Sequence, residues 1–383
     1  MIYKTFGSTG IKLSAIGFGG MRFEKPDDLD VSAQLVKASY DRGINYFDTA
    51  PGYLNDKSET IVGTAIKEML KTRTERPFYV ATKSGHSEPG EIRKNIENSL
   101  KRLNVDCIDF YYVWCVMSIE ALGERKQKGA IREFEKLKDE GLIKHICIST
   151  HMNGDDIEKV LADYPFEAVL LGYSAMNFAY REKGIQAASK LNRGVVVMNP
   201  LGGGNIPNHP EKFEFLKSQK HETVVEAALR FLINDSRITT ALVGFSNEKQ
   251  LDEAIKAVDR FHEISDEKIE QIRSMVKEAF DTLCTGCQYC DHCPQGIPIP
   301  KLMDAYNFYM LNNNNPQEII NRLNWHWGID AENEYLRKCN ECGKCEKLCT
   351  QKLDIRKRLK AIRESAEKFL SERKSQIVCP RDL

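Results

Sequence analysis

What this chain of 383 residues lacks narrows its reading first. It has no net charge, with 55 Lys plus Arg against 55 Asp plus Glu, so bulk charge gives no argument for nucleic acid or a membrane surface as a partner. No apolar run approaches the roughly 18 residues that a membrane-spanning helix needs. The opening MIYKTFGSTG has no apolar signal-peptide core, and the cytoplasm is the expected location. The composition is not that of a disordered chain, because 42% of residues are hydrophobic and 29% charged. Nor is this a short, disulfide-stapled secreted chain; its length suffices to bury a large core without staples.

Metal ligation is therefore a better reading of the chain's twelve cysteines than disulfides, and it falls on the eight that cluster. Eight form two clusters. CTGCQYCDHCPQG holds Cys284, Cys287, Cys290 and Cys293, and CNECGKCEKLC holds Cys339, Cys342, Cys345 and Cys349. Cys107, Cys115 and Cys147 lie among apolar residues, and Cys379 lies near the end of the sequence. Three cysteines on one tight loop reach three irons of a cubane, and in bacterial two-cluster ferredoxins the fourth ligand comes from the other motif. That rule assigns Cys284, Cys287, Cys290 and Cys349 to one [4Fe-4S] cluster, and Cys339, Cys342, Cys345 and Cys293 to a second. Thiolates also accept zinc, so a pair of zinc knuckles is the alternative. Thr350 stands where a ferredoxin usually has proline, and the last gap of the first motif is two residues instead of three. Neither departure changes the ligand number. His292 reads as a neighbour of the ligands, not as one of them.

The first two-thirds of the chain alternates short apolar runs with amphipathic ones. INYFD, PFYVATK, CIDFYYVW, LIKHICIS, FEAVLLGY, GVVVMNP and ITTALVG read as strands buried on both faces. Helical patterns lie between them, near residues 29–42, 58–70, 89–103, 130–139, 154–162, 180–191, 221–233 and 247–259. With a strand around Ile16, the pattern predicts eight strand–helix pairs over about 250 residues, a (β/α)8 TIM barrel. An open doubly wound sheet competes weakly: Gly17, Gly19 and Gly20 imitate a dinucleotide turn, but the polar loop MRFEKPDDLD follows them. The tail has few strand signals, so a smaller, mainly helical domain that depends on metal is expected. The boundary falls near residue 262, giving domains 1–262 and 263–383.

Barrel chemistry collects at the carboxyl ends of the strands. Asp48 ends one strand, Lys83 ends the next, and Tyr53 lies in the loop between. Together they make a proton donor: Lys83 stabilises a developing Tyr53 phenolate, and Asp48 holds and balances Lys83. Taken singly, Asp48 also reads as a turn cap, Lys83 as a solvated strand end and Tyr53 as an aromatic lid.

FGSTGIKLSAIGFGG, GINYFDTAPGY, the ATK ending at Lys83 and LKRLNVDCIDFYYV occur in the order found in the aldo/keto reductase family, which residues 1–260 resemble. With PLGGG and the cysteine clusters added, the whole chain resembles the branch that fuses a reductase barrel to a two-cluster ferredoxin-like domain. The resemblance implies an Asp–Tyr–Lys–His tetrad reducing carbonyls with NADPH, or running in reverse. Asp48, Tyr53 and Lys83 match three members; Trp114 stands in the place of the histidine. His86 and His151 are candidates for the absent imidazole, and Cys115 beside Trp114 reads as an inert thiol. For the nucleotide, the resemblance points to Ser149, Thr150 and Met198, with Leu170 replacing the usual Gln. On the phosphate side it points to Gly202, Gly203 and Gly204, or an ordinary flexible loop, and to Gly244, Phe245, Ser246, Asn247 and Gln250 before the last barrel helix.

The expected activity is NADPH- or NADH-dependent reduction of a small-molecule carbonyl, or the reverse oxidation, by a protein holding two [4Fe-4S] clusters. Two alternatives stay open. One is an electron-transfer enzyme coupling the clusters, through a low-potential donor or acceptor protein, to a barrel-bound substrate or flavin. The other is a regulatory protein with a degenerate barrel.

Overall fold

The computed structural model describes every residue except 177, 179, 180, 280, 281 and 378–383, so Cys379 lies outside the described residues. Two compact units divide the chain. The first comprises Met1–Gly202 and Phe213–Glu278, the second Gly203–Lys212 and Ala279–Leu383.

Eight parallel strands close the barrel of the first unit in the order β10-β3-β4-β5-β6-β7-β8-β9. They are β3 (Ile16–Gly19), β4 (Tyr46–Asp48), β5 (Tyr79–Ser84), β6 (Ile108–Val116), β7 (Ile143–Thr150), β8 (Ala168–Gly172), β9 (Gly194–Met198) and β10 (Thr240–Val243). The apolar runs form these strands because both faces are covered, by the interior on one side and by helices on the other. All residues of β4, β8 and β10 are buried. The intervening helices include α1 (Leu29–Asp41), α2 (Lys57–Met69), α3 (Pro89–Leu103), α4 (Ile119–Gln127), α5 (Ala130–Asp139), α6 (Gly154–Asp163), α7 (Glu182–Lys190), α9 (Val224–Asn234) and α10 (Glu248–Asp259). A full capping box starts α9, where Thr223 accepts from the Glu226 amide and Glu226 accepts from the Thr223 amide.

A hairpin of β1 (Tyr3–Thr5) and β2 (Lys12–Ser14) precedes the barrel. It sends Phe6 into the interior core with Tyr46, Phe110, Tyr112, Leu170 and Val196. Phe6 meets Phe110 edge-on at 4.8 Å, and Gly194 leaves the space that the Phe6 ring fills. The Tyr46 and Tyr112 hydroxyls share a buried hydrogen bond of 2.8 Å across the interior. These groups pack the barrel as a solid body, which leaves its strand ends as the place for chemistry.

The second unit is helical. It contains α8 (Asn205–Asn208), α12 (Ile299–Leu311), α13 (Pro316–Asn321), α14 (Lys344–Leu348) and α15 (Ile355–Ile377), while α11 (Asp266–Ala279) precedes it in the chain. Its core joins Ile299, Leu302, Met303, Ile319, Ile355 and Ile362 to the buried cysteines Cys290 and Cys349. Residues 203–212 belong here: Asn205 Nδ2 donates to the Cys284 carbonyl at 3.0 Å, and Gly203 sits so close to the Thr285 carbonyl that no side chain fits. Among the described residues no helix is long and apolar enough to cross a membrane.

Candidate functional site

The structure brings together the three residues expected at adjoining strand ends. Asp48 closes β4 and Lys83 stands one residue before the end of β5. Lys83 Nζ donates to Asp48 Oδ1 at 2.5 Å and to the Thr49 carbonyl at 2.7 Å. The pair is sealed from water, with 1% and 4% exposure. Burial raises the Asp48 carboxyl and lowers the Lys83 ammonium, and each opposes the other's shift by charge attraction. Asp48 Oδ2 has no hydrogen-bond partner among the described residues, so one lone-pair face of the carboxylate is left to electrostatics alone.

Tyr53 is half-buried on the loop after β4. The centre of its ring lies 5.3 Å from Lys83 Nζ. Burial raises its phenol well above the ordinary range, the charges of Asp48 and Cys115 add to this, and Arg22 opposes it. The loop that carries it is strained: Leu54, Asn55 and Asp56 have φ of 53°, 54° and 67° in succession. For Leu54 that conformation costs on the order of 1–2 kcal/mol. Asp56 Oδ1 accepts the Gly52 amide at 2.8 Å and holds the turn in place.

Trp114 completes the cluster, its ring edge-to-face with Tyr53 at 5.7 Å and 79°. Its direction depends on a bulge in β6, where the register to β7 shifts between Val113 and Val116 and Cys115 takes φ 55°. Arg125 Nη1 pins the bulge by donating to the Trp114 carbonyl at 2.7 Å. His86 is exposed. His151 is buried at the end of β7, and its carbonyl accepts from Arg181 Nη2 at 3.2 Å.

The nucleotide candidates are more scattered in what they do. Ser149 and Thr150 are buried at the end of β7, but the Thr150 hydroxyl already donates to the Val116 carbonyl at 2.8 Å. Met198 is partly buried against the interior core. Gly202 has φ 62° and lies against Met176 Sδ, so a side chain there would meet both backbone strain and the methionine. Phe245 is core, 5.6 Å from the Phe18 ring. Asn247 caps α10 through the Gln250 amide, and Gln250 Oε1 accepts the Ser246 amide at 2.9 Å. One residue here went unread in the sequence: Arg22, exposed on the loop after β3, lays its stem over Gly244 and has no ion-pair or hydrogen-bond partner among the described residues. Its only sequence signal is a cation, with Lys25 three residues on, in a strand-end loop.

In the second unit Cys349 stands with the first cysteine motif. Burial raises the Cys290 thiol first, and then the charges of Cys284, Cys287 and Cys349; burial likewise pushes Cys284 up to about 12. Cys345 is pushed to about 11, by burial and in part by Glu346 and Cys339. Cys290 and Cys349 are buried, whereas Cys342 of the second motif is exposed. His292 is exposed as well.

The surroundings of the first quartet fit an anionic iron–sulfur group. The Gly286 and Leu353 amides donate to the sulfurs of Cys284 and Cys349, each at 3.4 Å, and Thr350 Oγ1 lies 3.2 Å from Cys287 Sγ. Thr285 Oγ1 and Arg358 Nη1 are buried with no hydrogen-bond partner among the described residues. Asn307 holds the motif's first residue, its Oδ1 accepting the Cys284 amide at 2.8 Å and its Nδ2 donating to the Cys284 carbonyl at 2.7 Å. Among the described residues, no three His, Cys, Asp or Glu side chains converge where a single ion would sit. A cubane takes one thiolate on each iron, so its ligands surround a body instead of meeting at a point.

Comparison with known proteins agrees with both halves. Residues 15–277 match the aldo/keto reductase family, and residues 283–364 match the 4Fe-4S dicluster domain. A probable aldo-keto reductase 1 of Glycine max is 26% identical over 66% of this chain and 83% of its own length. The L-galactose dehydrogenase of Arabidopsis thaliana is 27% identical over 67% and 87%. Among solved structures, an aldo-keto reductase of Bacillus halodurans in its holo form shares the fold, with TM-score 0.61 and 23% identity over 72% of this chain and 96% of that one. The aldose reductase of Schistosoma japonicum does so with TM-score 0.57 and 20% identity over 72% and 92%. The first family match alone takes in well over half of the sequence, and the chain belongs to the aldo/keto reductase family, in a form that continues into a 4Fe-4S dicluster domain.

Proposed function

We propose that this oxidoreductase reduces the carbonyl group of a small molecule with NADPH or NADH, or runs the reverse oxidation. The observation that carries the reading is the buried Lys83–Asp48 pair beneath the Tyr53 ring at the carboxyl ends of β4 and β5. A bound nicotinamide would supply the hydride. The chain supplies the proton. Tyr53 holds it firmly across neutral pH because its phenol is raised, and gives it up only to an oxygen whose charge is growing. The Lys83 ammonium, fixed by Asp48 and Thr49, lowers the cost of the phenolate left behind. Trp114 walls the site and excludes water from the face of Tyr53; its indole donates a hydrogen bond but cannot relay a proton. Ser149, Met198, the Gly244–Asn247 segment and the first free amides of α10 would hold the nucleotide, with Arg22 as the cation for a phosphate.

Cys284, Cys287, Cys290 and Cys349 would hold one [4Fe-4S] cluster, and Cys293, Cys339, Cys342 and Cys345 the other. A second reading, in which the clusters pass electrons between a carrier protein and a substrate or flavin in the barrel, draws on the exposed Cys342 and on tryptophan in the place of the imidazole. Calorimetric titration of anaerobically purified holoprotein with NADPH and NADH tests the first reading. Binding of either, with nucleotide oxidation on adding a carbonyl substrate, is expected. Absence of binding with both clusters present would remove that reading and leave the second.

A further inference from the structure

The two cysteine quartets differ in what surrounds them: Arg356 near the second is paired with Glu346, whereas Arg358 near the first is buried. Arg358 is 6% exposed in α15. Its Nη2 donates to the Thr282 carbonyl at 2.5 Å and its guanidinium lies 4.9 Å from the centre of the Tyr306 ring, while Nη1 has no hydrogen-bond partner among the described residues. No carboxylate forms an ion pair with it among the described residues. After burial, which lowers its pKa, the groups that act on it electrostatically are Tyr306, Cys284 and Cys349, with Asp354 weakest. A buried cation without a paired carboxylate is costly. The charge that would balance it is the one the first quartet acquires when its thiols ionise on iron.

Thr350 acts in the same direction. Its hydroxyl is fully buried and 3.2 Å from Cys287 Sγ. A ligating thiolate has no proton, so the hydroxyl must be the donor. The second quartet contains the exposed Cys342, where water screens charge.

We propose that Arg358 is a positioning charge that sets the reduction potential of the cluster on Cys284, Cys287, Cys290 and Cys349 above that of the cluster on Cys293, Cys339, Cys342 and Cys345. The step is one-electron: a reduced one-electron carrier is oxidised, the cluster is reduced, and no bond or proton changes place. The added electron makes an already anionic cluster more negative. A fixed cation and a hydroxyl donor stabilise that form more than the oxidised one and raise the potential. The first cluster then becomes the resting place of an electron entering through the second. The inference rests on the ligand assignment proposed above.

The test is a mediated redox titration of anaerobically purified full-length protein, from dithionite to ferricyanide, followed by electron paramagnetic resonance. Iron and sulfide are measured on every sample, and Cys342→Ser assigns the second quartet's signal. Arg358→Met is expected to make the reduced first cluster at least about tenfold rarer at a fixed potential, a displacement of 59 mV for one electron. Arg358→Lys is expected to restore most of that change, Thr350→Val to reproduce part of it, and the second signal to stay in place. An unmoved first signal in Arg358→Met with eight irons retained would overturn the proposal. So would four irons lost from both Arg358→Met and Arg358→Gln, which would make Arg358 a requirement for assembly. Iron content other than eight in the unmutated protein would instead strike the ligand assignment.

Discussion

The barrel and the tail both bury groups that carry charge, but they balance it differently. In the barrel, Lys83 finds its counter-charge within the protein, Asp48 at 2.5 Å, and both are buried at the strand ends. In the tail, Cys284, Cys290 and Cys349 are raised as thiols by burial, while the buried Arg358 beside them forms no ion pair with a carboxylate among the described residues. The charge of the barrel pair is balanced within the polypeptide. In the proposed assignment, the cysteine centre is half of a charge distribution whose other half would be the iron–sulfur group.

The sharpest way to break this contrast is at Lys83. Lys83→Met leaves Asp48 as an uncompensated buried carboxylate, so carbonyl reduction should fall by about 10²–10⁴-fold and the barrel should lose about 3–5 kcal/mol of stability. Tyr53→Phe should lose comparable activity at nearly unchanged stability, since its hydroxyl lies outside the ion pair. Steady-state kinetics and urea unfolding of the two variants separate a proton donor from a structural lid; equal stability losses would merge them.

A smaller effect is expected in the tail. Asn307→Ala leaves the Cys284 amide without its acceptor, while Asn205 still donates to the carbonyl, and should cost about 1–3 kcal/mol. It should appear as lowered thermal stability of the tail alone, read by circular dichroism of the iron-loaded protein. A uniform loss in both units would argue against separate balance.

The smallest change concerns pH. In the proposed mechanism the reactive form for reduction is the protonated phenol of Tyr53, whose pKa is raised by burial first and then by Asp48 and Cys115. The reductive rate should therefore stay flat through neutral pH and fall only in strong alkali. The oxidative rate, which needs the phenolate, should rise with pH. A reductive rate falling near pH 7 would point to an imidazole and away from Tyr53.

Much of this was readable in the sequence, for physical reasons. Strands buried on both faces appear as unbroken apolar runs, and the interleaved quartets are a proposal carried from the two-cluster ferredoxin rule, with Cys349 standing beside Cys284 and Cys290. The three-residue strands β1 and β2 were too short to show a period, and α4 was missed because its weak apolar face buries only Leu122. The bulge at Cys115, which aims Trp114, has no mark in a run as regular as CIDFYYVW. The GGG segment reads as a ligand loop; in the structure Gly202 and Gly203 both have positive φ and lie against Met176 and the Thr285 carbonyl. Arg358 hides in RKRLK, which looks like a solvated helix face. The available signal was periodicity: Arg358 falls between Ile355 and Leu359 on the stripe that continues to Ile362 and Ala366, all buried.

Hydrogen exchange of the anaerobic protein before and after iron removal tests the contrast most directly, because it reads the two units separately. Loss of amide protection in α12, α13 and α15, with β4, β5 and β6 still protected, is the predicted result. Full protection of those helices without iron, or equal loss in the barrel strands, would contradict it.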